Sequence, residues 1–144
     1  MSQLFRIKCP SCGNVVDVAN TGSPCAKCGN ALNLPGDGMV QIYRMGSPYG
    51  IAVGMGIYLN ENTLGHLGNA ESVRIPVPYG HYKLHMTHGM NRKCKDVEFD
   101  VTPDERVVYV KARLKMGIIS NTVVLEKVTG DTMPQTGFSN IRTD

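Results

Sequence analysis

The feature that most limits what this chain can fold into is a pair of Cys-x-x-Cys runs. Cys9-Pro-Ser-Cys12-Gly and Cys25-Ala-Lys-Cys28-Gly are separated by twelve residues. A two-residue spacing brings both sulfurs of a pair to one side of a tight turn. Pro10 stiffens the first turn, and Gly13 and Gly29 allow the positive φ that such turns often need. Four thiolates delivered in this way meet at one tetrahedral Zn²⁺, each at about 2.3 Å. Two disulfides or a redox Cys-x-x-Cys are the competing uses of the same residues. A redox motif normally occurs once and opens a helix after a strand, whereas here two copies sit in a short Gly- and Asn-rich segment. The spacing therefore predicts one zinc ion held by Cys9, Cys12, Cys25 and Cys28. Sulfur fills every place, no position remains for a water, and the ion is expected to be structural.

Residues 5–34 resemble a zinc ribbon. Phe5-Arg-Ile-Lys-Cys-Pro-Ser-Cys-Gly-Asn-Val-Val-Asp-Val is similar to the first knuckle of such a ribbon and its following strand. Ser23-Pro-Cys-Ala-Lys-Cys-Gly-Asn-Ala-Leu-Asn-Leu is similar to the second. The resemblance implies two short hairpins joined by the metal. About 30 residues bury too little surface to fold alone, and a structural zinc supplies an apparent ~10–16 kcal/mol in zinc-finger peptides.

Pro35-Gly36-Asp37-Gly38 is a turn cluster and marks a boundary. The expected organisation is a zinc ribbon over 1–36, a β-sandwich over 37–128 and a flexible C-terminal tail over 129–144. The body reads as strands at Met39–Met45, Ile51–Leu59, Ser72–Val77, His81–His88, Lys95–Val101, Val107–Met116 and Asn121–Val128, with a short extra strand at Thr63–Leu67. None shows a long apolar period of 3.6. The fold class predicted is all-β: a small four-cysteine zinc ribbon plus a 7–8-stranded antiparallel β-sandwich. Alternation is clearest near the end. Val97, Phe99 and Val101 share one face, and Asp96, Glu98 and Asp100 the other. Val108, Val110, Ala112, Leu114 and Met116 then oppose Lys111, Arg113 and Lys115. With Thr102-Pro103-Asp104-Glu105 as turn chemistry, these two strands are expected to form an antiparallel hairpin. Its acidic outer face would neutralise its basic one.

Ile57-Tyr-Leu-Asn-Glu-Asn-Thr-Leu-Gly-His-Leu67 followed by Val73-Arg-Ile-Pro-Val-Pro-Tyr-Gly-His-Tyr-Lys-Leu84 is similar to PEGA-like domains and their bacterial relatives. Recognisable motifs cover only 57–84 of the 40–128 span. Asn60-Glu61-Asn62 stands where the family's first turn usually has a Gly after an Asp. The resemblance implies a small β-sandwich used for binding or scaffolding, with no catalytic residues to carry over.

Other residues point to no chemistry by themselves. Cys94 lies in Asn91-Arg-Lys-Cys-Lys95, where neighbouring cations would lower its pKa, but no His or Asp near it in sequence suggests a catalytic pair. On a strand, His81 and His85 stand about 13 Å apart, four steps of ~3.3 Å, and His88 faces the other way, so one metal cannot take them. These are expected to be surface or turn histidines, as is His66. Gly54-Met55-Gly56 lacks the third Gly and the helix of a dinucleotide loop and reads as a bulge or a close backbone contact. Met86 and Met116 fit inward positions. No motif with a stateable mechanism appears, so the chain is not expected to be an enzyme, and no small-molecule substrate is identified.

The net charge is +3. Four thiolates with one Zn²⁺ carry −2 and lower it to +1, too few unpaired cations for a strong phosphate surface. Only Arg92, Lys93 and Lys95 cluster. An unidentified protein partner is expected, with nucleic acid as the alternative. Met1–Lys8 holds no apolar stretch of about 7–15 residues, and no run approaches the ~20 residues that span a bilayer. The reading is a soluble, cytoplasmic protein without membrane contact.

Overall fold

The computed structural model describes residues 5–19, 21–46, 54–89, 93–117 and 121–130. Every regular element among them is a strand. Two hairpins come first. β1 (Phe5–Lys8) pairs antiparallel with β2 (Val15–Val18), and β3 (Ser23–Pro24) with β4 (Ala31–Leu32). Val16, Val18 and Leu32 are buried with Cys9 and Cys25 in a small core of their own, flanked by Ile7 and Leu34.

The remaining strands form two sheets. They are β5 (Gly38–Arg44), β6 (Met55–Leu59), β7 (Asn62–Leu67), β8 (Ser72–Val77), β9 (Gly80–His88), β10 (Cys94–Lys95), β11 (Val97–Val101), β12 (Val107–Lys115) and β13 (Thr122–Val128). One sheet has the order β10-β13-β12-β5-β8 and the other β11-β9-β6-β7. Alternation along each strand turns one face inward. Val40, Ile42, Val73, Ile75, Val108, Val110, Ala112, Val123 and Leu125 meet Met55, Ile57, Leu59, Leu64, Leu67, Leu84, Met86, Phe99 and Val101 in one continuous core. The architecture is thus an all-β sandwich carrying two small hairpins. No helix among the described residues is long and apolar enough to cross a membrane.

Three expectations are corrected. The body has nine strands among the described residues, not seven or eight, and it is not wholly antiparallel. β12 runs parallel to β5, and β10 parallel to β13. The segment read as one strand, Lys95–Val101, breaks at Asp96, where the chain leaves one sheet for the other. Second, β11 and β12 do not form a hairpin. β11 pairs with β9, whereas β12 lies between β13 and β5 in the opposite sheet. Both strands bury an apolar face in the same core, and facing each other across it satisfies that demand as fully as lying side by side. The Thr102–Glu105 turn, closed by reciprocal backbone hydrogen bonds of 3.2 and 3.1 Å, carries the chain across the edge. The acidic face of β11 therefore meets His81 and Lys83 of β9, and the basic stripe of β12 keeps no acidic strand beside it. Third, Met116 is half exposed rather than inward, while Met86 is fully buried as expected.

Two local readings hold. Gly56 sits at a register shift between β6 and β7, the expected bulge, and a Cβ there would lie 2.6 Å from Thr87 Oγ1. Asn60 and Glu61 form the two-residue β6–β7 turn with φ of 48° and 68°, the primed-turn geometry that suits strand twist. Leu4, residues 51–53, Met90, Arg92 and residues 131–144 of the expected tail lie outside the described residues.

The first hairpin is fastened to the sandwich. β1 packs along the edge strand β8. From it Arg6, wholly buried, donates through Nη1 to the carbonyls of Leu64 and His66 on β7, at 3.2 and 3.0 Å. Its Nε pairs with Asp17 Oδ1 of β2 at 3.1 Å. One side chain thus links both strands of the first hairpin to the open edge of the sandwich.

Candidate metal centre

Each cysteine pair sits on a turn built the same way. The N–H of Gly13 donates to the carbonyl of Cys9 and the N–H of Cys9 to the carbonyl of Asn14, both at 2.8 Å. Gly29, Cys25 and Asn30 repeat both bonds at 2.8 Å sixteen residues later. Gly13 and Gly29 have φ of 76° and 78°, a conformation that costs glycine nothing. The two turns face each other. Cys9 Sγ lies 3.7 Å from Cys28 Sγ, and Cys12 Sγ 3.7 Å from Cys25 Sγ. All four sulfurs fall within 4.8 Å of one another. A tetrahedron with metal–sulfur bonds of about 2.3 Å sets neighbouring sulfurs about 3.8 Å apart, so the cluster has the dimensions of a four-thiolate metal site. Cys9 and Cys25 are buried, and Cys12 and Cys28 face solvent.

The turns also prepare the charge. Backbone N–H groups of Cys28 and Lys27 aim at the Cys25 sulfur and pull its pKa down to about 6. Those of Cys12 and Ser11 act on Cys9, which is also lowered against the effect of burial. Cys12 receives the N–H of Asn14, but burial and the three adjacent thiols outweigh it and raise the group to about 11. Four negative sulfurs this close repel one another, and a divalent cation at their centre removes that repulsion. On β2, burial raises the Asp17 pKa, and the hydrogen bond from Arg6 opposes the shift.

The four predicted cysteines come together, and the other residues singled out by sequence lie away from them. His81 is exposed and bridges two carboxylates, Asp100 Oδ1 at 2.8 Å and Glu98 Oε1 at 3.1 Å. Cys94 does not have the lowered pKa that its basic neighbours suggested. Burial raises it to about 11, with Asp96 adding to the rise against an N–H from Met86. Sequence reading also missed that His85 and Asp96 lie beside Cys94, because the three residues meet only where the chain changes sheets.

By fold and site, the molecule is an all-β protein with a four-cysteine cluster able to hold a metal ion. Comparisons with protein-family models, curated proteins and solved structures found no match.

Proposed function

We propose that this chain is a zinc-ribbon protein in which the metal is structural and the sandwich is a non-catalytic binding or scaffolding module for a protein partner. The observation that carries the reading is the set of four sulfurs within 4.8 Å of one another, two pairs of them at 3.7 Å. A borderline-soft d¹⁰ ion without geometric preference suits four thiolates, and Zn²⁺ is the abundant one. Zinc bound there holds the hairpins and supplies no reaction. The docking through Arg6 supports a second role, in which the ribbon covers one edge of the sandwich. The 57–84 pattern and the two-sheet body support a PEGA-like module. Metal content tests the reading. The chain is expected to hold one zinc more than a variant in which Cys9 and Cys25 are both replaced by Ser. Equal zinc content in the two proteins would overturn it. Nuclease-resistant capture of a specific protein from lysate is expected; its absence would remove the scaffolding role.

One observation favours nucleic acid as the second reading. The outer face of the five-stranded sheet carries Lys111, Arg113 and Lys115, and the residues directly opposed on β13 are Glu126, Val124 and Thr122. Lys95 stands in the same row as Val124 and Arg113. Four cations meet one carboxylate there. This reading predicts oligonucleotide binding that weakens steeply with salt and is lost on Arg113→Glu with Lys115→Glu. Binding that ignores salt or those changes would remove it.

A further inference from the structure

A second group of metal-ligating side chains lies in the sandwich body. β9 and β11 run as an antiparallel ladder whose last pair is Leu84 with Val97. The strand that would continue past it instead crosses to the other sheet, where Cys94 and Lys95 pair with Val123 and Val124. Asp96 is the crossing residue. The ladder therefore ends one residue short of His85, and the N–H of Met86 that it would have engaged donates instead to Cys94 Sγ at 3.5 Å. The crossing brings three different donors together. His85 Nδ1 is 2.7 Å from Asp96 Oδ1, and the imidazole, the carboxylate and the thiol all lie within 4.8 Å of one another.

We propose that His85, Cys94 and Asp96 form a second divalent-metal site, of the zinc class, with a coordination place left open. One sulfur, one imidazole nitrogen and one carboxylate oxygen are a donor set that suits a borderline ion of the zinc class. A thiolate, a carboxylate and a neutral imidazole balance a divalent charge, so the occupied site is neutral where it is half buried. The thiol proton leaves to solvent as the metal–sulfur bond forms. The supporting contacts are present. The Tyr58 ring lies 5.8 Å from the His85 ring, tilted against it. Lys83 Nζ holds the second oxygen of Asp96 at 3.6 Å. The N–H of Met86 is already aimed at the sulfur. Bound metal would separate the His85–Asp96 pair from its present 2.7 Å to the roughly 3.3 Å of two ligands about 2.0 Å from a common centre.

The fourth place has room. His85 and Asp96 line an open cavity of about 670 Å³ with Tyr58, Asn60, Glu61 and Lys83. Three protein ligands with one place facing a cavity is the arrangement that leaves a metal accessible to water or an added donor, in contrast to the closed four-sulfur cluster.

Cadmium-113 NMR on the full chain tests this directly. With two equivalents of ¹¹³Cd²⁺ the spectrum is expected to show two resonances, one from a four-sulfur environment and a second, well upfield, from a single sulfur with nitrogen and oxygen. His85→Ala, a surface change that leaves the core intact, is expected to abolish the second resonance and keep the first. Equilibrium dialysis against micromolar Zn²⁺ is expected to give one equivalent fewer in Cys94→Ala and in His85→Ala than in the unmodified chain. A single four-sulfur resonance at two equivalents of cadmium, or equal zinc uptake by all three proteins, would overturn the proposal. The difference between proteins decides it whatever the four-sulfur cluster holds, so a failure here is distinct from a failure of that cluster to bind zinc.

Discussion

Arg6 shows how much a single side chain can connect. It is wholly buried, and it reaches acceptors on two elements: a carboxylate on β2 and two carbonyls on β7. Breaking a buried ion pair from one side leaves the other charge stranded, at a cost of about 3–5 kcal/mol. Arg6→Met is therefore expected to destabilise the fold by that amount in urea unfolding. Adding Asp17→Leu is expected to recover part of the loss; equal stability of the single and double variants would show that the ion pair contributes nothing. His81 makes a different case, because it is exposed and salt screens it. Hydrogen bonds donated by its ring to the carboxylates of Glu98 and Asp100 raise its pKa. Protonation is thus favoured in the folded state, and the resulting stabilisation is complete below the unfolded value near 6.5. It is lost as pH rises through the higher folded value. The His81 ring protons are expected to titrate above 6.5 by NMR, and Asp100→Asn to move the midpoint down.

Strands were the most legible elements. Most of the predicted strands recur within a residue or two at each described end, because period-2 burial is written directly in the sequence. Turns were legible where their chemistry is strict. Asn60-Glu61 occupies left-handed positions that favour glycine, and Asn60 is compensated. Its side chain accepts from Lys83 N–H at 2.8 Å and donates to the His81 carbonyl at 3.2 Å. Glu61, with φ of 68°, has no such compensation in the backbone. A left-handed residue costs roughly 1–2 kcal/mol, so Glu61→Gly is expected to stabilise the chain by about 1 kcal/mol in thermal or urea unfolding. No gain would mean that another contact of Glu61 balances the strain. Gly38 predicts the opposite sign. A Cβ there would stand 2.2 Å from Val101 Cγ1 and 2.9 Å from the carbonyl of Arg106. Gly38→Ala is expected to cost about 1–3 kcal/mol through overpacking.

At the scale of the molecule, the first hairpin and the sandwich share one edge. The first hairpin covers β8 and reaches β7 through Arg6, so loosening it uncovers strand edges that pair readily with other chains. Removing metal with a chelator is expected to accelerate hydrogen exchange in β1–β4 and also at β7 and β8, while β12 and β13 stay protected. Exchange confined to β1–β4 would mean that the hairpins melt without the sandwich noticing. Chelation is further expected to promote self-association through the uncovered edge, measurable by sedimentation.

The sequence by itself determined the four cysteines, their glycine-dependent turns, most of the strands and the face each strand buries. These are local properties, set by residue spacing and by alternation. Only the tertiary structure decided which strand lies beside which. A period of two encodes the inward face but not the neighbour, and an apolar face is buried equally well beside a partner or across from it. That is why the acidic strand β11 sits against His81 and Lys83 rather than against the basic strand β12. It is also why Cys94, His85 and Asp96, which no local motif joins along the chain, meet where the backbone passes between sheets at Asp96.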